Sequence, residues 1–71
     1  MKNKDSLVKF GERLRFLRKK SNLSQDELSI KAGLHRTYIG MIERAEKNIT
    51  LKNIEKIANA LDITIDNFFR F

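Results

Sequence analysis

One segment of the sequence, residues 36–44, collects the side chains best suited to specific recognition. At about 100° per residue, a helix over this segment divides into two arcs. The outer arc consists of Arg36, Thr37, Gly40, Met41 and Arg44. An arginine in the first turn of such a helix can bind O6 and N7 of a guanine, and a threonine there can contact a thymine through its hydroxyl or methyl group. The pattern indicates a helix surface suited to reading base edges in DNA.

The elements that position this surface follow from the residues around it. The inner, apolar arc of the same helix consists of Tyr38, Ile39 and Ile42. Ser24 and Glu27 match the S-x-x-E capping box that starts a helix, and Gly33 can adopt the positive φ that ends one. We therefore predict two short helices joined by a tight turn over about residues 24–44, which is a helix-turn-helix unit.

The rest of the chain shows three more helical segments. A polar segment over residues 1–6, which we predict to be frayed, precedes an apolar stripe formed by Leu7, Phe10, Leu14 and Leu17. Thr50 is a candidate N-cap for a stripe formed by Leu51, Ile54, Ile57, Ala58 and Leu61. Thr64 can cap a last short helix with Asp66 in its first turn. No segment alternates with period two and proline is absent, so we predict an all-α fold of five helices.

Length and charge limit both the architecture and the partner. The 71 residues make one domain, 1–71, with a small core, so self-association is the expected source of further stability. Fifteen Lys and Arg residues outnumber nine Asp and Glu residues, which gives a formal net charge of +6. This balance favours a polyanionic partner such as double-stranded DNA. The alternative is that the charge serves only solubility.

The sequence contains no constellation of residues for catalysis or metal binding. There is no cysteine, and His35 is the only histidine. Gly11, Gly33 and Gly40 are too widely spaced for a phosphate-binding loop. We therefore predict no enzyme, no catalytic or metal-ligating residue, no cofactor and no small-molecule ligand.

The expected compartment follows from two further absences. No apolar run approaches the about 20 residues that a membrane span needs, and the first residues lack the apolar region of a signal peptide. The absence of cysteine suits a reducing compartment. We expect a cytoplasmic protein with no membrane partner, associated with the nucleoid when it is bound to DNA.

The chain resembles the Cro and phage-repressor (XRE-like) class of helix-turn-helix regulators. The residues that carry this resemblance are Ser24-Gln25, Leu28, Gly33, Ile39 and Ile42-Glu43-Arg44, and it extends through Leu51 to Phe68. A narrower resemblance, to the controller proteins of bacterial restriction–modification systems, rests on His35-Arg36-Thr37-Tyr38-Ile39-Gly40, Ile42-Glu43-Arg44 and Asn48-Ile49-Thr50-Leu51. It implies a compact domain that dimerises, binds DNA and activates or represses transcription according to operator occupancy.

The resemblance and the residue pattern together assign the sites. Base reading is assigned to Arg36, Thr37, Tyr38, Gly40 and Met41, with Gly40 either permitting close approach of another surface or having no specific role. Phosphate contacts are assigned to Ser24, Gln25, Arg44, Lys47, Asn48 and Lys52. The resemblance implies a structural ion pair between Arg18 and Glu43. His35, at the N-cap, faces either phosphate or solvent, and we favour solvent.

A dimerisation region is expected over about residues 49–71. Its candidate contact residues are Ile49, Ile63, Ile65, Phe68, Phe69 and Phe71. Three aromatics in the last four residues are more than a small core easily buries, so we favour an interface over the alternative in which two of them close the core.

These observations predict a sequence-specific transcriptional regulator, a homodimer that binds a palindromic operator and controls restriction–modification genes, with RNA polymerase as a further partner. The alternative is an antitoxin or adaptor, a protein-interaction module of the same fold. Its signature would be a recognition face without cations or a long additional tail, and the sequence shows neither. The aromatic end of the chain could nevertheless serve a toxin as well as a second copy.

Overall fold

The computed structural model describes the backbone of residues 3–71 and the side chains of residues 6–71. These residues form five α-helices and no strand: α1 (Asn3–Lys20), α2 (Gln25–Ala32), α3 (Arg36–Glu43), α4 (Leu51–Ala60) and α5 (Ile65–Phe68). The predicted all-α fold is confirmed. Helix α1 already includes residues 3–6 of the segment predicted to be frayed, whereas Met1 and Lys2 lie outside the described residues.

Short-range hydrogen bonds set the helix boundaries. The Ser24 hydroxyl accepts from the Glu27 amide at 3.0 Å, and the Glu27 carboxylate accepts from the Ser24 amide at 2.7 Å. This reciprocal pair is the predicted capping box, and Gly33 ends α2 at a φ of 69°. Thr50 and Thr64 cap α4 and α5 through their hydroxyl oxygens, which accept from the amides of Asn53 and Asn67.

A single apolar core lies between the helices. Helix α3 packs against α1 and α2, and α4 packs against α2 and α5. The core consists of Phe10, Leu14, Leu17, Leu28, Ala32, Ile39, Ile42, Ile54, Ile57, Ala58, Leu61 and Phe68. Among the described residues no helix is long and apolar enough to span a membrane.

Helix α5 is held against α1 by aromatic and polar contacts. The rings of Phe10 and Phe68 stack at 4.7 Å with an interplanar angle of 9°. Arg13 donates to the carbonyl oxygen of Asn67 at 2.8 Å and to that of Phe68 at 3.3 Å, which satisfies backbone acceptors at the end of α5.

Two positions with large apolar side chains differ from the predictions. Phe68, assigned to a dimer interface, is fully buried, because it stacks on Phe10 inside the core of one chain. Leu51, the first residue of the apolar stripe predicted for α4, is 70% exposed. Periodicity predicts the direction in which a side chain points, whereas burial also requires a neighbouring element, and none covers Leu51 in the first turn of α4.

Candidate nucleic-acid interface

Helix α3 is held in place by a close backbone contact with α1. A Cβ atom at Gly11 would lie 2.7 Å from the carbonyl oxygens of both Ile42 and Glu43, at the end of α3. Only glycine therefore allows α1 to approach α3 this closely. This role of Gly11 was not predicted from the sequence. The sequence does contain a sign of this contact, because a glycine inside an amphipathic helix costs about 1 kcal/mol relative to alanine and so suggests a packing reason.

The start of α3 is capped by the single histidine. His35 is exposed, and its Nδ1 accepts a hydrogen bond from the amide of Thr37 at 3.2 Å. This bond satisfies one of the amide donors that the first turn of a helix leaves without an intrahelical partner. Arg36 and Thr37 are both exposed in this turn, so their side chains are available to a ligand.

The other predicted base-reading residues are less accessible. Met41 is partly buried. Tyr38 is also partly buried, and its hydroxyl oxygen accepts from Nδ2 of Asn53 in α4 at 3.1 Å. Gly40 is buried, although the sequence pattern placed it on an exposed arc. Its burial has a specific cause, since the guanidinium of Arg44 lies across it.

The end of α3 carries a buried carboxylate with several donors. Arg18 donates to Glu43 from Nε at 2.6 Å and from Nη2 at 3.0 Å, which is the pair that the family resemblance implied. Gln25 donates to the same carboxylate at 3.0 Å, and Arg15 does so at 3.5 Å. Burial raises the pKa of Glu43, but the hydrogen bonds from Arg18 and Gln25 and the charge of Arg18 outweigh it and lower that pKa below its ordinary value. This network joins α1, α2 and α3 beside the exposed surface.

The phosphate-contact candidates lie on three neighbouring segments: the start of α2, the loop between α3 and α4, and the first turn of α4. Five of the six are exposed and Gln25 is intermediate. Three already have intramolecular contacts, because Ser24 caps α2, Gln25 donates to Glu43 and Arg44 donates to Glu46. Arg44 pairs with Glu46 at 3.0 Å, and this hydrogen bond raises the pKa of Arg44. The contact of Glu46 with Arg44 was not predicted from the sequence.

Apart from the buried Phe68, the dimer candidates divide into two groups. Ile49, Ile63 and Ile65 are partly buried against the core, whereas Phe69 and Phe71 are exposed. Leu51, which the sequence analysis did not predict as an interface residue, lies in a surface depression that is lined by Leu51, Lys52, Glu55 and Ile65. Its exposure makes it the most prominent apolar group on α4.

Among the described side chains no cluster of acidic, histidine or cysteine residues could hold a metal ion.

An exposed and capped helix that follows α2 through a tight turn, in an all-α domain, defines a helix-turn-helix protein. The helix-turn-helix family HTH_3 matches residues 14–68. Control protein C.BamHI of Bacillus amyloliquefaciens is 51% identical over 55 residues, which cover 76% of this chain and 68% of that protein. Control protein C.MunI of a Mycoplasma species is 41% identical over 66 residues, 92% of this chain and 89% of that protein.

The structural comparison agrees with the sequence comparison. The crystal structure of the restriction–modification controller protein C.AhdI from Aeromonas hydrophila superposes with a TM-score of 0.90 at 49% identity, and the match covers 92% of this chain and 98% of that one. The chain therefore belongs to the helix-turn-helix family. The predicted resemblance to restriction–modification controller proteins is confirmed.

Proposed function

We propose that this protein is a sequence-specific DNA-binding regulator of transcription that controls restriction–modification genes. The observation that carries this proposal is the first turn of α3, where Arg36 and Thr37 are exposed beside a capped helix start. A helix projecting from a helix-turn-helix unit enters the major groove with its N-terminal residues against base edges. The similarity to control proteins supports the same conclusion.

The proposed interface separates base reading from positioning. Arg36 binds a guanine through two parallel hydrogen bonds, and Thr37 contacts a thymine. Tyr38 and Met41 contribute where their half-buried side chains reach the groove. Phosphate contacts come from Ser24, Gln25, Arg44, Lys47, Asn48 and Lys52, which hold the domain in register on the duplex. At position 47, a lysine suits a point contact to phosphate better than a bidentate contact to guanine.

The functional unit in this proposal is a homodimer with the helix-turn-helix unit over about residues 24–44 and dimer contacts from about residues 49–71. The exposed side chains of Leu51, Phe69 and Phe71 supply apolar surface that a second copy can cover. Partly buried Ile65 borders Leu51 in the same depression. A two-fold dimer places its recognition helices about 34 Å apart, so the operator is a palindrome with half-sites one DNA turn apart.

Selection of binding sites from a random duplex library tests this function directly. A palindromic winner with half-sites one turn apart is the expected result. We expect Arg36→Ala to cost about 1–3 kcal/mol of binding free energy and to relax the preference at one base position. Lys47→Ala serves as a matched charge control, which weakens binding on all sequences and reduces the salt slope by about one unit. No enriched sequence at low salt would contradict the proposal, and an antitoxin or adaptor would then be the better explanation.

The dimer is tested by sedimentation of two matched variants. Leu51→Lys introduces a charge into the proposed interface, and we expect it to shift the protein towards monomer. Ile30→Lys is the control, because Ile30 on α2 is 74% exposed but lies outside the proposed contact region. Equal dissociation in both variants, or in neither, would contradict the assignment of the interface.

A further inference from the structure

The side chain of Arg44 crosses α3 directly above Gly40. A Cβ atom at position 40 would lie 3.0 Å from Nη1 of Arg44 and 3.7 Å from its Cζ. Helical side chains point back towards the N-terminus and cover the residue four positions earlier. The guanidinium therefore occupies the space that a side chain at position 40 would need, and this explains why Gly40 is buried.

Two further groups border the same space. Oε1 of Gln25 would lie 3.4 Å from a Cβ atom at position 40, and the side-chain amide of Gln25 is itself held by Glu43 at 3.0 Å. Nε of Arg44 donates to Glu46 at 3.0 Å. The guanidinium is thus bound by a carboxylate at Nε and lies beside Gly40 at Nη1, while half of the Arg44 side chain remains exposed.

We propose that Gly40 is a positioning residue, which leaves space for the guanidinium of Arg44 so that this group is ordered for a phosphate before DNA binds. The inference rests on the proposed function, since it uses the phosphate contact assigned to Arg44. It replaces the two explanations that the sequence left open for Gly40, close approach of another surface or no specific role. Order before binding improves affinity because less side-chain freedom is lost on association.

The proposal predicts opposite effects of one substitution on stability and on binding. Gly40→Ala places a better helix former in α3, and we expect a melting temperature that is higher by a few degrees, up to about 4–8 °C. The atoms nearest to the new methyl group are ends of flexible side chains, so they can move. The displaced Arg44 still reaches phosphate, but it must be ordered on binding, which weakens affinity about two- to twelvefold. The salt slope stays unchanged because the number of phosphate contacts is the same.

Arg44→Ala and the double variant supply the matched controls. Arg44→Ala removes one phosphate contact, lowers the salt slope by about 0.9 and weakens binding about eightfold near 0.1 M salt. In the Arg44→Ala background, Gly40→Ala has no guanidinium to displace, so the double variant is expected to bind as weakly as Arg44→Ala alone. Coupling of this kind is absent when two residues act independently.

The experiment measures affinity, salt slope and melting temperature for the four proteins on the duplex that the wild type selects. The Nε–H resonance of Arg44 reports the order of the guanidinium in the absence of DNA. We expect it to be sharp and protected from exchange in the wild type and averaged in Gly40→Ala. The inference would be overturned if Gly40→Ala bound DNA as tightly as the wild type or had a lower melting temperature than the wild type. It would also be overturned if the losses of affinity of the two single variants multiplied in the double variant. A wild type that selects no sequence would refute the proposed function instead, and the Nε–H resonance would still decide whether Gly40 orders Arg44.

Discussion

The buried pair between Arg18 and Glu43 allows the sharpest stability prediction. Replacing Glu43 by leucine preserves approximate volume but removes every acceptor that Arg18 uses on α3. Arg18 is 8% exposed and would keep only its hydrogen bond to the carbonyl oxygen of Leu23, at 2.9 Å. Its charge would then be buried without a counter-ion, which is the costly case for a buried pair.

The size of the effect follows from burial. Removing one partner of a buried ion pair costs about 3–5 kcal/mol, whereas a chain of 71 residues has a total free energy of unfolding of about 4–11 kcal/mol. We therefore expect Glu43→Leu to remove a large part of the stability. By contrast, Arg15→Ala is expected to cost less than about 1 kcal/mol, because the Arg15 side chain is half exposed and 3.5 Å from the carboxylate.

The assay is urea unfolding of the single variants Glu43→Leu and Arg15→Ala and of the double variant Arg18→Met/Glu43→Leu. Apolar replacement of both partners removes the uncompensated charge, so we expect the double variant to lie within about 1 kcal/mol of the wild type or above it. The reasoning would be refuted by a Glu43→Leu loss below about 1 kcal/mol, or by a double variant no more stable than Glu43→Leu alone. In either case the network at the end of α3 would not depend on charge compensation.

Three further predictions concern stability. Because the pKa of Glu43 is lowered in the folded protein, its carboxylate contributes fully to the free energy of unfolding above its ordinary pKa of 4.5, and this contribution is lost as pH falls through the lowered pKa. Urea unfolding between pH 6 and 3 should show this loss of stability in the wild type and a smaller loss in Arg18→Met/Glu43→Leu. Gly11→Ala should lose about 1–2 kcal/mol despite the better helix propensity, because its Cβ would meet backbone carbonyls; a gain in melting temperature would contradict this contact. Ala45→Gly should gain up to about 1 kcal/mol, because relief of its φ of 61°, which costs a non-glycine residue about 1–2 kcal/mol, outweighs the about 0.4–1 kcal/mol of backbone entropy that glycine loses on folding; a lower melting temperature would contradict this.

Features that depend on neighbours along the chain could be predicted from the sequence. Ser24, Glu27 and Gly33 define α2 through contacts that span three or four residues, and Thr50 and Thr64 begin α4 and α5 in the same way. Capping and hydrophobic periodicity are local interactions, so a short window of sequence contains all the atoms that they involve. The number and order of the helices were predictable for this reason.

Which helix faces are covered depends on contacts between residues that are far apart in the chain. Phe68 and Leu51 are both apolar and both lie in helical segments, yet Phe68 is buried by stacking on Phe10 and Leu51 is exposed. Gly40 lies on the arc that periodicity exposes, yet Gln25 of α2 borders the space above it. Gly11 is needed where α1 meets the end of α3, a contact between residues about 30 positions apart. Burial depends on which distant groups arrive at a surface, and the pattern of residues along one helix does not contain that information.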